Sequence, residues 1–150
     1  MDFGGIGKVN RIAEAVNYNF RWLERDGGWY EVEQQINKLR HTRAQKSEMN
    51  SADFIDDNLK GFGPKQSRNL LQELGLTRYE TPIDNRIIKW LTDFQFPVPI
   101  SAAALSDRNY YRFVSEGIRE LCDRCHIYPC LLDAAIFSSY DEEATVRLSP

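Results

Sequence analysis

A lysine that follows a glycine-rich turn is the residue of this sequence best placed for covalent chemistry. Lys65 comes directly after Gly63 and Pro64, at the expected start of a helix. The positive end of the helix dipole disfavours an ammonium there, so partial burial would lower the lysine pKa and favour the nucleophilic amine. Asp84 follows one helix and one loop downstream, and the chain can fold it back beside Lys65. The two residues predict one pocket that holds a nucleophile and an acidic partner.

The turn before Lys65 has a form that suits phosphate binding. Leu59-Lys60-Gly61-Phe62-Gly63 places two glycines and an apolar residue between two expected helices. Such a turn presents backbone N–H groups at a helix start, where an anion is stabilised. We place this hairpin motif at about residues 52–75.

The spacing of apolar side chains predicts the helices that carry these residues. Helical spacing runs from Val9 to Leu23, and Asp26-Gly27-Gly28 ends that segment. A weaker repeat covers residues 32–39, the polar run 42–50 predicts a loop, and Ser51 is the expected cap of the next helix. Pro64 begins the helix of Lys65, and Gly75 ends it as a left-handed cap.

The second half of the chain repeats the helical pattern. Asp84 precedes the apolar residues 87–91 as an N-cap would. The loop 96–99 contains two prolines, Ser106 is the expected cap of the following helix, and a last short helix covers 131–137. No segment alternates with the period of a strand, so we predict an all-α helical bundle that forms a single domain over residues 1–150.

The hairpin and the aspartate together resemble the signature of a known enzyme family. Leu59 to Lys65, followed by Pro82-Ile83-Asp84, is similar to the signature of the helix-hairpin-helix (HhH-GPD) DNA glycosylases, above all the 8-oxoguanine DNA glycosylase/AP lyases. Members with lyase activity carry a lysine where Lys65 stands, and the family aspartate falls at Asp84. Residues 128–137 are similar to the closing helix of 8-oxoguanine glycosylases, whose pocket glutamine and phenylalanine fall at Asp133 and Phe137. Asn69 is assigned to the same base pocket.

This resemblance implies base-excision repair of double-stranded DNA that contains a damaged base. The target nucleotide is flipped out of the duplex, since its glycosidic bond cannot be reached inside the stack. Lys65 then attacks the sugar C1′, and Asp84 stabilises the developing positive charge or accepts the lysine proton. A Schiff base follows, and elimination nicks the strand. The residues expected to contact DNA are Lys60, Gly61, Phe62, Gly63, Pro64 and Arg68.

Two features of the sequence depart from the family pattern. Asp133 replaces a glutamine, and an ionised carboxylate accepts hydrogen bonds without donating them, so 8-oxoguanine is only the preferred lesion. The chain also begins at what resembles the middle of the helical domain, which predicts a minimal or N-terminally truncated member whose open pocket a homodimer or a partner protein would close. The alternative is a catalytically inactive hairpin module that binds duplex DNA for a partner protein. Lys65 and Asp84 favour the enzyme, whereas the short N-terminus favours the module.

Composition limits where such a chain can touch DNA. The 150 residues carry a formal net charge of −3, which argues against a broad phosphate-binding surface. Contacts must therefore be local, at Lys60, Lys65 and Arg68, while the basic stretch 38–46 is equally well explained as a solvated helix face. No apolar run is long enough for a membrane span and no signal peptide is evident, so we expect an intracellular protein without a membrane partner.

The cysteines indicate a reducing compartment and no metal site. All three lie between Cys122 and Cys130, and an odd number does not make a disulfide framework. Cys122-x-x-Cys125-His126 invites a zinc or iron–sulfur interpretation, but a fourth cysteine is missing. We expect buried small apolar residues instead. No cofactor is expected, unless a monovalent cation binds hairpin carbonyls as in some relatives.

Overall fold

A computed structural model describes the backbone of residues 6–25, 27–42 and 44–147, and the side chains of residues 10–25, 27–42 and 44–140. Within these ranges the chain forms seven α-helices and one 3-10 turn and contains no strand, which confirms the predicted all-α class. The elements are α1 (Ile6–Arg25), α2 (Gly28–His41), α3 (Gln45–Asn58), α4 (Pro64–Glu73), α5 (Asn85–Asp93), the 3-10 turn (Ala104–Ser106), α6 (Arg108–Arg124) and α7 (Pro129–Arg147). Asp26, predicted to help end the first helix, lies outside the described residues.

One core cluster joins the helix pair that flanks the glycine-rich turn. α3 packs against α4, and the cluster is formed by Leu39, Ala52, Ile55 and Leu71. Pro64 opens α4 as predicted. Gly75 adopts a left-handed φ of 68° just after α4, and its N–H donates to Gln72 O at 2.8 Å, so the predicted glycine cap is also confirmed.

A second core cluster holds α5, α6 and α7 together. Its fully buried members include Leu91, Tyr111, Val114 and Cys122, and burying each large apolar side chain contributes about 1.5–3 kcal/mol. Ile83, at the end of the loop 76–84, belongs to this cluster, whereas Leu76 packs against the first one. The loop that ends at Asp84 therefore runs from one core to the other.

The predicted loop at residues 42–50 and the predicted cap at Ser51 are wrong. α3 begins at Gln45, and Ser51 is buried inside it, where its hydroxyl donates to Gln35 Oε1 at 3.1 Å. The polar segment is helical because its side chains have tertiary partners. Glu48 is only 1% exposed and accepts hydrogen bonds from backbone amides of the loop 78–80 at 2.8–3.0 Å.

Two helix boundaries in the second half also differ from the prediction. Asp107, not Ser106, caps α6, and its carboxylate accepts the Tyr110 N–H at 2.8 Å. Ser106 lies one residue earlier, in the 3-10 turn. α7 runs from Pro129 to Arg147 and is much longer than the predicted 131–137, since polar residues after Phe137 interrupt the apolar spacing without ending the helix. The Asp84 cap, by contrast, is confirmed.

Candidate active site

Lys65 and Asp84 line the same cleft. Its volume is about 380 Å³, within the roughly 300–1,000 Å³ range of small-molecule sites. Lys65 lies in the first turn of α4, and Asp84 is the N-cap residue of α5. The remaining wall consists of Asp56, Gly63, Pro64, Gln66, Ile83, Asn85, Ile88, Ala102, Leu105 and Ser106. The chain therefore folds back on itself as the sequence predicts.

The environment of Lys65 differs from the expectation of partial burial. Its side chain is exposed, because the first turn of α4 lies at the rim of the cleft. Among the described residues Lys65 forms no ion pair within 4.0 Å. The ammonium is therefore accessible from solvent and is not tied to Asp84 by a direct salt bridge.

Both carboxylate oxygens of Asp84 have partners. Oδ1 accepts the N–H groups of Arg86 and Ile87 at 2.9 and 3.1 Å, which is the N-cap of α5. Oδ2 accepts Nε and Nη2 of Arg86 at 2.8 and 2.6 Å. Burial alone would raise the pKa of Asp84, but these hydrogen bonds and the Arg86 charge outweigh it and lower the pKa below its usual value. Asp84 is thus a fixed negative charge at the wall of the cleft.

The loop before Asp84 is held by buried charges from three helices. Glu80 is fully buried and accepts hydrogen bonds from Arg68 of α4 and Arg119 of α6, the second at 2.8 Å. Glu48 of α3 accepts the backbone amides of the same loop. The Tyr111 hydroxyl donates to Thr81 O at 2.9 Å and accepts the Ile83 N–H at 2.7 Å. These contacts fix the backbone that delivers Asp84 to the cleft.

Arg68 was predicted to contact phosphate, and this prediction is wrong. Its side chain is 0% exposed, with Nε donating to Glu80 and Nη1 donating to Pro64 O at 2.9 Å. The guanidinium also lies over the ring of Tyr111 at 4.6 Å from the centroid. Charge alone predicted an external role, whereas a buried carboxylate in the next loop draws the side chain inward.

The glycine-rich turn is held from outside by α1. Asn19 donates through Nδ2 to Lys60 O at 2.9 Å and accepts the Lys60 N–H through Oδ1 at 2.8 Å. Gly61 has a φ of 85°, and a Cβ there would lie 3.6 Å from Cβ of Ala15. The Lys60 ammonium lies 3.9 Å from the centroid of the Tyr18 ring. The peptide amide of Lys60 is therefore already used within the protein.

At the start of α4, backbone amides remain for an anion. The first α-helical bond of α4 runs from the Ser67 N–H to Gly63 O at 3.0 Å. The amides of Lys65 and Gln66 precede that bond and point out of the helix end, beside the cleft. The predicted N–H donors for a phosphate are therefore available after Gly63, whereas the Lys60 N–H already donates to Asn19. Phe62 is half-buried and packs against the first core cluster.

Three of the hairpin carbonyls accept hydrogen bonds within the protein. Leu59 O accepts the Phe62 N–H at 3.3 Å, and Lys60 O accepts from Asn19. Gly63 O accepts both the N–H and the hydroxyl of Ser67. These hydrogen bonds fix the orientation of the three carbonyl groups.

The residues assigned to the base pocket do not line the cleft of Lys65 and Asp84. Asn69 is exposed on α4, and Asp133 and Phe137 lie on α7. Asp133 accepts a hydrogen bond from Gln72, and Phe137 lies against Arg86. Burial raises the pKa of Asp133, and the nearby charge of Asp84 adds to the effect. Phe137 is therefore linked to Asp84 through Arg86, and Asp133 is influenced by the Asp84 charge, while neither residue lines the cleft.

Arg86 is the site residue that sequence reasoning missed. A cation in the first turn of a helix is disfavoured by the helix dipole, unless a carboxylate neutralises it. Asp84 is the expected cap, so an arginine two residues later was a signal for this ion pair. Glu48 and Glu80 gave no such signal, because their partners come from distant parts of the chain.

The cysteines only partly match the expectation of burial. Cys122 is buried, but Cys125 is exposed and Cys130 is intermediate. In the part of the chain that the structure describes, no group of histidine, cysteine and acidic residues has metal-binding geometry. The same part contains no helix with the length and apolar character that crossing a membrane requires.

Comparisons with known proteins identify no relative. The chain matches no family model, no curated protein and no solved structure.

Proposed function

We propose that this chain is a base-excision DNA glycosylase with AP lyase activity that acts through a Schiff base at Lys65. The observation that carries the proposal is the shared cleft of Lys65 and Asp84, which opens beside the amides at the start of α4. An extruded nucleotide would place its sugar between the amine and the carboxylate while those amides contact its phosphate. The proposed substrate is double-stranded DNA with a damaged base.

The proposed reaction divides the work between the two residues. The amine form of Lys65 attacks C1′ as the bond from C1′ to the base breaks, and the base leaves with the bonding electrons and takes up a proton. The lysine nitrogen then loses a proton to solvent, and its lone pair expels the ring oxygen O4′ from C1′. The C1′–O4′ bond breaks, O4′ takes up a proton, and the opened sugar is joined to Lys65 as an imine. Removal of a C2′ proton and loss of the 3′ phosphate nick the strand. Lys65 is exposed, so water can exchange protons with it directly.

Asp84 acts in this scheme as an electrostatic stabiliser. Both of its oxygens already accept hydrogen bonds, and its lowered pKa makes the carboxylate a weak proton acceptor. A fixed negative charge at the cleft wall stabilises the positive charge that develops on the sugar during bond cleavage. Of the two roles that the sequence left open for Asp84, the geometry supports this one.

Oxidised guanine remains the preferred lesion in this proposal. Asp133 stands where the family has a glutamine, and burial raises the pKa of its carboxyl. Phe137 is 46% exposed and offers a ring face for stacking. Both residues lie outside the cleft lining, so a base would have to extend past Asp84 to reach them.

Borohydride trapping on a substrate panel tests the function directly. Duplexes with 8-oxoguanine, an oxidised pyrimidine, uracil or a bare abasic site are incubated with the protein and the reductant. We expect a covalent complex with the abasic duplex and with one damaged base, and none with undamaged DNA. Failure to form any complex, under conditions where the protein binds the duplex, would leave the second candidate.

That second candidate is a catalytically inactive hairpin module that binds duplex DNA for a partner. It is favoured by the saturated hydrogen bonding of Asp84, which by itself accounts for the residue as a structural cap. A partner protein or a second copy would meet apolar side chains that are exposed on α1, namely Ile12, Val16 and Phe20. Binding without cross-linking on every duplex of the panel is the result that this candidate predicts.

Asp84→Asn is expected to separate the charge of the residue from its capping role. Asparagine caps helices about as well as aspartate, so the free energy of unfolding should change by no more than about 1 kcal/mol. Base excision should fall by about 10²–10³-fold, since the fixed charge beside the sugar is lost. Single-turnover excision and urea unfolding measure the two effects.

Asp107→Asn is the matched control for this variant. Asp107 caps α6 through the same kind of hydrogen bond, to the Tyr110 N–H, and it does not line the cleft. Its excision rate should remain near that of the wild type. Equal losses of activity in both variants would contradict a role for the Asp84 charge in the cleft. An Asp84→Asn protein that fails to fold would show that the main role of the carboxylate is its ion pair with Arg86.

A further inference from the structure

Arg86 has contacts on two sides that fix its guanidinium beside the cleft. On one side Nε and Nη2 donate to Oδ2 of Asp84 at 2.8 and 2.6 Å. On the other side its guanidinium carbon lies 4.2 Å from the centroid of the Phe137 ring, on α7. An arginine offers both a planar fork for a carboxylate and a flat face for an aromatic ring, which a lysine does not.

We propose that Arg86 is a positioning residue of this site, which fixes the Asp84 carboxylate at the cleft wall and is itself held in place by Phe137. The inference rests on the proposed function, because the Asp84 carboxylate matters there as an oriented charge. It also gives Phe137 a role that does not require the ring to touch a base. Phe137 supports the side chain that orients Asp84.

Asp84 has other charged groups near it besides Arg86. Asp133 on α7 is close enough for its pKa to be raised by Asp84 and lowered by Arg86. Asp56 on α3 lines the cleft with Asp84, as does Lys65 on α4, and Arg108 pairs with Asp56 at 2.8 Å. Neighbouring carboxylates disfavour each other's ionised form. The charge of Arg86 lowers the pKa of both Asp84 and Asp133, so its removal should raise both.

The pH profile of base excision distinguishes positioning from a purely structural role. Arg86→Met keeps an apolar stem against Phe137 and removes the charge. Since activity requires ionised Asp84, the acid limb of the single-turnover rate should move to higher pH. We expect a loss of about tenfold near the wild-type acid limb and no more than about threefold at alkaline pH. Arg86→Lys should restore part of the difference, and Phe137→Leu should show a smaller shift of the same sign.

Arg124→Met provides the matched control. Arg124 is an exposed arginine on α6 that pairs with Glu120 at 2.8 Å and does not line the cleft. Its profile should coincide with that of the wild type. If the rate of Arg86→Met coincides with that of the wild type at every pH, Arg86 does not act on the Asp84 carboxylate and the proposal is overturned. A rate lowered by one constant factor at every pH, with an unchanged titration midpoint of Asp84, overturns it as well.

Titration of the Asp84 carboxyl carbon by NMR gives a readout that needs no activity. In the free protein, the titration midpoint of Asp84 should lie at higher pH in Arg86→Met than in the wild type. An unchanged midpoint overturns the positioning role even if the enzyme is active. If the wild type forms no borohydride complex, the glycosylase proposal fails. A raised titration midpoint of Asp84 in Arg86→Met would still show that Arg86 acts on the Asp84 carboxylate.

Discussion

The Lys65→Gln variant should form no borohydride-stable complex with a duplex that carries an abasic site. Glutamine has no nucleophilic amine and cannot form the imine that the reductant traps. Excision of the damaged base should fall by about a thousandfold or more, as is typical when a nucleophile is removed. The side chain is exposed and unpaired among the described residues, so the free energy of unfolding should change by less than about 0.5 kcal/mol.

Lys89→Gln is the control for the loss of a lysine. Lys89 lies exposed on α5, pairs with Asp93 at 2.6 Å and does not line the cleft. This variant should cross-link as the wild type does. Gel separation after reduction measures both proteins on one duplex. A Lys65→Gln protein that still cross-links would show that another amine is the nucleophile, and the role of the cleft would then need to be abandoned.

The Glu80→Gln variant should lose about 3–5 kcal/mol of its free energy of unfolding. Glu80 is the shared acceptor of Arg68 and Arg119, and the exposed fractions of the three side chains are 0%, 0% and 5%. Glutamine keeps the volume but removes the carboxylate that both guanidinium groups share. Arg68 would then have only Asp53 at 3.8 Å, and Arg119 only the largely exposed Glu116. Since small domains have only about 5–15 kcal/mol of stability, this loss is a large share of the total. Urea unfolding followed by circular dichroism measures it.

Glu120→Gln makes the same chemical change at an exposed ion pair. Glu120 pairs with Arg124 one turn away on α6, and the exposed fractions of the two side chains are 63% and 76%. The cost there should not exceed about 0.5 kcal/mol. If both variants lose similar stability, the buried pairs of Glu80 contribute no more than surface pairs and do not hold the loop before Asp84.

The elements that sequence predicts well are those whose ends carry local signals. Pro64, Gly75 and Asp84 each act within one helix turn, and the structure has all three in the predicted roles. The loop predicted at 42–50 failed because polarity is not a local signal of the same kind. Glu48 accepts hydrogen bonds from backbone amides of a loop thirty residues away. The residues next to Glu48 in the sequence do not reveal this partner.

The same distinction applies to the candidate site. The turn and the spacing of Lys65 and Asp84 predict a shared cleft, and the structure brings both residues to one. The burial of Arg68 depends on Glu80, which follows it in the next loop, so the sequence around Arg68 does not predict it. The exposure of Lys65 depends on how α4 packs in the fold. Individual charges were visible in the sequence, but their partners were set by packing between helices.

The two hydrogen bonds between Asn19 and the Lys60 backbone limit how far the chain can be shortened from its N-terminal side. A fragment lacking α1 would leave a bare carbonyl and a bare amide at the tip of the turn, and would uncover the face of Gly61 that Ala15 now shields. Water would satisfy those groups, but the turn would lose the two hydrogen bonds through which Asn19 holds it. α1 therefore stabilises the turn, although none of its described side chains lines the cleft.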